Sequence, residues 1–197
     1  MPKLGMQPIR RNQLIDATIA SIHEHGFAET TVSRISAAAG VSSGIVHHYF
    51  NGKDDLLAAT MRRLLSDLRA ATVRRLADAK TPRDRVCAII DGNFSSEQFA
   101  PQSVSAWLAF WAQVPHSPTL ERLQQLNSRR TWSNLRHALR QMMVGEDAER
   151  LAASLAALID GLWLRCALTP GGIEPKAARA IVREFFDQRI SESELAA

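Results

Sequence analysis

Apolar residues in this 197-residue chain recur at helical spacing almost from end to end. Leu14, Ile15, Thr18 and Ile22 share one face of a 3.6-residue period, as do Leu56, Leu57, Met61, Leu64, Leu65 and Leu68, and no segment alternates with period two. Gly26, Gly40, Asn51-Gly52, Thr81-Pro82, Pro101, Pro115 to Pro118, Gly145 and Pro170-Gly171-Gly172 punctuate that pattern. By the usual start and stop signals this predicts about nine helices and no sheet. Thr30 or Thr31 would cap the second helix and Ser42 the third, with Asp54 in the first turn of the fourth. With 46% apolar residues the chain can bury a core in one unit or in two closely joined ones. The expected fold class is all-α, a compact N-terminal bundle followed by a larger C-terminal one.

The formal net charge of +4 permits an anionic partner, but its distribution does not identify one. Residues 1–60 are balanced, and the basic part is residues 61–85, with eight Lys/Arg against three Asp/Glu. A basic run on a helix is usually a solvated face. Cys87 and Cys166 lie far apart with no C-x-x-C pair, and "MPKLGMQPIRR" lacks the apolar region of a secretory signal, so a reduced, cytoplasmic protein is expected. Near the C-terminus "LAASLAALIDGLWLRCAL" is interrupted by Asp160 and Arg165 and fits a buried helix better than a bilayer span; no membrane partner is expected.

Gly40-Val41-Ser42-Ser43-Gly44 satisfies the G-x-S-x-G spacing of a hydrolase nucleophile elbow. That elbow needs a buried strand before the serine, whereas "ISAAAG" reads as helix. No H-E-x-x-H, E-x-x-H or glycine-rich phosphate loop is present, and His23 and His25, two apart, diverge on a helix. An enzyme, a metal site and a cofactor are therefore not expected.

The same stretch fits a helix-turn-helix. Val32, Ile35 and Ala39 would form the inner face of a short helix, Gly40 the tight turn, Val41 the plug in the angle, and Val46, Tyr49 and Phe50 the anchors of the second helix. Ser43, Gly44, Ile45, His47 and His48 would then face outward near the start of a helix able to enter a major groove. An ordinary helical hairpin has the same spacing.

"TTVSRISAAAGVSSGIVHHYFNGKDDLL" resembles the DNA-binding segment of TetR-family transcriptional regulators, whose pattern is an Ile-Ala pair, Ala-Gly-Val-Ser, Tyr-x-Tyr-Phe, then Lys before an acidic residue and Leu. The resemblance implies operator binding by the second and third helices, a fourth helix linking to the regulatory domain, and dimerisation through the C-terminal helices. It implies a helix-turn-helix domain over residues 1–53 and a ligand-binding and dimerisation domain over 54–197. DNA-contacting residues would be drawn from Thr30, Thr31, Ser42, Ser43, Gly44, Ile45, His47, His48, Tyr49 and Lys53, with Lys53 and Thr30 or Thr31 on phosphates. Ser36 stands at the usual alanine position and His47 at the first tyrosine, so the role of His47 stays open between a phosphate, a base and plain surface.

"MPKLGMQPIRRNQLIDAT", "LLAATMRRL", "AWLAFWAQ", "RLQQLNSRR" and "AALIDGLWLR" further resemble the choline-responsive repressors of glycine betaine synthesis genes within that family. That resemblance implies choline as inducer; a regulator sensing another small, cationic or aromatic ligand is the alternative. A trimethylammonium group has no N–H to donate and is recognised by aromatic faces and a carboxylate. Trp107, Phe110 and Trp111 share one helix face, Asp160 and Trp163 another, and Phe94 and Trp132 lie on neighbouring segments. Aromatic stripes at helical spacing are more often core, so these residues are candidates only. Leu151, Leu155, Leu158, Leu162, Ile181, Phe185 and Phe186 carry more apolar surface than one small domain buries, which predicts a two-fold homodimer through four helices, bound to a pseudo-palindromic duplex.

Overall fold

The computed structural model describes residues 6–169 and 173–195, so the punctuation at Pro170-Gly171-Gly172 lies outside the described residues. Nine α-helices follow one another with no strand among the described residues: α1 (Met6–Glu29), α2 (Val32–Ala38), α3 (Ser43–Tyr49), α4 (Lys53–Ala77), α5 (Pro82–Asn93), α6 (Pro101–Gln113), α7 (Pro118–Leu139), α8 (Gly145–Leu168) and α9 (Pro175–Leu195). One 3-10 turn, Val114–His116, follows α6.

The breaks fall where local chemistry requires them. Gly26 interrupts α1 at φ 77, and Gly40 leaves α2 at φ 65, both in the left-handed region that a side chain disfavours. Prolines open α5, α6, α7 and α9, where the missing N–H is not needed. Before α5, Thr81 Oγ1 accepts from Asp84 N at 3.0 Å and the Asp84 carboxylate accepts from Thr81 N at 3.0 Å, a reciprocal capping box. These bonds hold the Asp84 carboxyl below its usual pKa.

Backbone packing divides the chain into two compact units, one of residues up to Ser66 together with Pro101–Leu123, the other of Asp67–Ala100 together with the residues from Gln124 on. In the first unit Leu14, Ile15, Ala17, Ile35, Val46, Phe50, Leu56 and Ala59 form one core, with Val32, Ala39, Val41 and Tyr49 packed against it. The inner-face, plug and anchor residues expected of a helix-turn-helix are thus in contact with that core. Ile35 and Val46 are fully buried, so truncating either to alanine costs about 2–5 kcal/mol by lost transfer energy and cavity formation. Also in this unit, α6 packs along α1, where His23 Nδ1 and Ser105 Oγ lie 2.9 Å apart.

In the second unit α5 and α8 pack on α9. Arg183 grips Asp91 with Nε at 3.2 Å and Nη2 at 2.6 Å, and Arg83 Nη2 reaches Asp187 at 2.6 Å, so two ion pairs join α5 to α9. Glu149 at the start of α8 accepts from Arg136 of α7 and, at 2.7 Å, from Arg140 just after that helix, which holds its carboxyl below the usual range. The last turns of α4 cross α5 closely: a Cβ on Gly92 would lie 2.4 Å from Thr72 Oγ1 and 2.7 Å from Thr72 Cα. Cys87 and Cys166 are free thiols, and burial pushes the Cys87 thiol up.

Candidate DNA-reading helix and ligand pocket residues

The turn between α2 and α3 is closed by backbone bonds from Gly40 N to Ala37 O at 3.0 Å and from Val41 N to Ser36 O at 2.9 Å. It fixes the helix pair before any partner arrives. Of the two candidate caps of α2, Thr31 takes the position, extended at φ −105 and ψ 159, with Oγ1 accepting from Arg34 N at 3.3 Å. Thr30 is fully buried, and its hydroxyl donates to Gly26 O at 2.8 Å. The Thr30 hydroxyl is therefore committed to the kink at Gly26 within α1, and of the two threonines it is Thr31 that lies at the helix start. Ser42 occupies the N-cap position of α3 but its side chain makes no capping bond. It is exposed, which leaves its hydroxyl for another partner.

On α3, Gly44, His47 and His48 are exposed and Ile45 is 36% exposed, a large apolar side chain kept at the surface. A Cβ on Gly44 would meet only Ser42 Oγ, at an ordinary 3.8 Å, so nothing inside the fold demands glycine there. Its use is to keep the outer surface of the helix low. Ser43 is exposed too, but its Oγ lies 3.2 Å from Ser36 Oγ, and Ser36 in turn donates to Ser33 O at 2.9 Å. The serine at the usual alanine position therefore ties α2 to the first residue of α3, a role that the motif comparison alone does not reveal. Tyr49 is half-buried on the core and meets the His48 ring edge-on at 4.9 Å. Lys53, first residue of α4, sits with Nζ 4.8 Å from the Phe27 ring centroid and 3.5 Å from Phe27 O. These contacts hold a cation at the start of a helix.

The ligand candidates divide between the units. In the first, Trp107 is buried against Phe110 and Trp111, with ring centroids 5.8 and 6.0 Å away, which is the packing of a core stripe. In the second, Phe94 and Trp163 are buried, and Phe99 lies between them at 5.5 and 5.0 Å. Phe99 is the member that the helical periodicity did not single out, because it sits in the non-periodic segment before α6. Trp132 is half-buried with the Arg136 guanidinium 5.0 Å from its ring centroid, so one of its faces already has a cation.

Asp160 precedes Trp163 by one turn of α8. It remains exposed, yet protein crowds the carboxyl enough that desolvation pushes its pKa up to about 6. It has no ion pair or hydrogen bond among the described residues. Those three properties together describe a lone, partly desolvated carboxylate that solvent still reaches. Gln98, beside Phe99 in sequence, is 3% exposed with Oε1 unpaired among the described residues. Among those residues no group of three His, Cys, Asp or Glu is arranged to hold a metal ion.

The four helices' worth of apolar surface expected to form a dimer contact is partly redistributed. Leu151, Leu155, Leu162 and Phe186 are buried inside the second unit, which corrects their assignment to an intermolecular face. The apolar surface left outside is a stripe of Ala153, Ala157, Gly161, Leu164 and Leu168 on α8, with Leu164 44% and Leu168 69% exposed. On α9, Ile181 is 44% exposed and Phe185 half-exposed at i and i+4.

Comparison with known proteins agrees with this architecture. Residues 14–60 match the bacterial regulatory proteins of the tetR family, and residues 82–191 match the C-terminal domain of BetI-type transcriptional repressors. The HTH-type transcriptional regulator BetI 2 of Chromohalobacter salexigens is 50% identical over 193 residues, covering 97% of this chain and 93% of that relative. A protein of Pseudomonas aeruginosa solved by crystallography is 34% identical with a TM-score of 0.76, over 93% of this chain and 91% of that one. A Saccharomonospora viridis protein crystallised in complex with choline shares the fold at a TM-score of 0.78 and 21% identity, over 91% of this chain and 96% of that one. A helix-turn-helix core ahead of a BetI-type C-terminal domain, matched over nearly its whole length by such relatives, shows that the chain belongs to the TetR family of transcriptional regulators, as a BetI-type repressor.

Proposed function

We propose that this repressor blocks genes for converting choline to glycine betaine and is relieved by choline. The observation that carries the reading is Asp160: an unpaired, solvent-reached carboxylate with its pKa pushed up to about 6, one turn from the aromatic column Trp163–Phe99–Phe94. A permanent quaternary cation is the chemistry that such a site lacks, since it neutralises the carboxylate without needing a donor and lies against ring faces. Unpaired Gln98 Oε1 is an acceptor for the choline hydroxyl. The Saccharomonospora viridis protein, solved with choline, lends support at the level of the fold.

On the DNA side, Ser42, Gly44, Ile45, His47 and His48 are the proposed reading surface, and Thr31 and Lys53 the phosphate contacts. The exposed stripe on α8 and α9 is the proposed contact with a second copy, and small Ala153, Ala157 and Gly161 let helices approach closely. A dimer presents two such helices to a pseudo-palindrome in the cytoplasm. Choline can weaken that complex only by binding the DNA-incompetent conformation more tightly. Two or three cation–aromatic contacts, at about 0.5–2 kcal/mol each, supply the roughly 1–3 kcal/mol that such coupling requires. The test is the purified protein on a duplex from the promoter of a choline-oxidising operon. Retention without choline and release with it support the reading; tight retention at saturating choline contradicts it.

A further inference from the structure

Arg11 has no carboxylate partner among the described residues, although its neighbour Arg10 is engaged with Gln13 Oε1 at 2.9 Å. Its guanidinium is spent elsewhere. Nη1 donates to the carbonyl of Tyr49 at 2.5 Å, across 38 positions of sequence, and the guanidinium carbon lies 4.2 Å from the centroid of the Phe50 ring. Tyr49 is the last residue of α3 and Phe50 its C-cap, extended at φ −140 and ψ 139 and only 2% exposed.

The chemistry of these two contacts is specific. A helix of seven residues ends with carbonyls that no further turn can satisfy, and its C-terminal end carries partial negative charge. A cation that donates to the last of those carbonyls satisfies an orphan acceptor and complements the dipole together. Stacking the planar guanidinium on a core ring fixes where that donor sits, which a lysine ammonium on a flexible stem does not. We infer that Arg11 is a positioning residue for operator recognition: it locks the C-terminal end of α3 to the first turns of α1 and so sets the depth and rotation at which Ile45, His47 and His48 are presented. Ser36 and Ser43 hold the other end of α3 to α2 at 3.2 Å, so the helix is pinned at both termini.

The inference rests on α3 being the DNA-reading helix, and the experiment separates the two ideas. The probes are a duplex enriched from a random pool by the wild-type protein and a scrambled duplex of equal length, each titrated over a range of salt. Ile45→Ala should change the enriched sequence; if it does not, the reading of α3 fails and the inference with it. Arg11→Ala should weaken the enriched duplex about tenfold while leaving the scrambled duplex and the salt slope as in wild type, because a positioning contact releases no counterion. Arg11→Lys should fall between the two. In a Phe50→Leu background, where the ring platform is gone, the further loss from Arg11→Ala should shrink. Far-UV circular dichroism and a cooperative thermal transition confirm that each variant is folded. Equal weakening of both duplexes with the salt slope reduced by about one would assign Arg11 to a phosphate and overturn the inference, as would an undiminished Arg11→Ala effect in the Phe50→Leu background.

Discussion

The charge state of Asp160 makes the ligand proposal quantitative. A pKa of about 6 leaves the carboxylate about 97% ionised near pH 7.5 but only about 9% ionised near pH 5. Choline carries its charge at every pH, so it binds the ionised form and its apparent affinity should fall about tenfold across that range, with most of the loss below the pKa. Isothermal titration of choline into DNA-free protein at several pH values measures this directly. In Asp160→Asn the affinity near neutrality should drop and the pH dependence should vanish. The same group has an opposite-signed consequence for the ligand-free fold. Its folded pKa is raised above the unfolded value, so the stability it contributes is complete below about pH 4 and is lost as pH rises through about 6. Asp160→Asn should therefore melt above wild type near neutral pH, with the difference closing on acidification. Choline affinity that stays flat in the wild type from neutral pH to pH 5 would refute the assignment of Asp160 as counter-charge.

Three further outcomes follow from particular contacts. Gly92→Ala puts a methyl group 2.4 Å from Thr72 Oγ1 and should destabilise the protein by about 1–3 kcal/mol in denaturant unfolding, with partial recovery in a Thr72→Ala background, which removes that oxygen. Lys53→Ala should weaken binding to all duplexes alike and lower the salt slope by about one in a fluorescence titration, whereas His48→Ala should alter sequence preference. Leu164→Glu introduces a charge into the exposed stripe of α8 and should shift sedimentation from dimer toward monomer at micromolar concentration without loss of helix content.

The parts of the fold that depend on local chemistry were legible in the residues. Gly40 supplies the turn with its positive φ, the break at Thr81-Pro82 falls where α5 begins, and Val32, Ile35 and Val46 face inward at their spacing. What was not legible depends on tertiary neighbours. Thr30 and Thr31 are equally good caps by type, and only the kink at Gly26 in α1 decides that Thr30 turns its hydroxyl inward. The apolar periodicity of α8 identifies two faces but does not say which one its own unit covers, so spacing alone does not reveal that Leu155 and Leu162 are core. Phe99 lies outside any helix, where periodicity carries no information, and it completes the aromatic column. Arg11 and Tyr49 are separated by 38 positions, and no local pattern connects them. The raised pKa of Asp160 likewise comes from desolvation by its surroundings and not from its i, i+3 pairing with Trp163.

The central claim is that a quaternary cation relieves this repressor. Its most direct test is to titrate choline, and separately its neutral isostere 3,3-dimethylbutanol, into the preformed operator complex while following DNA release and tryptophan fluorescence together. The isostere preserves shape and hydroxyl and removes only the charge, so the account predicts release by choline at concentrations well below any effect of the alcohol, with fluorescence changing in step through Trp163. Equal potency of the two compounds would contradict it, because recognition would then owe nothing to the cation that Asp160 and the aromatic column are proposed to hold.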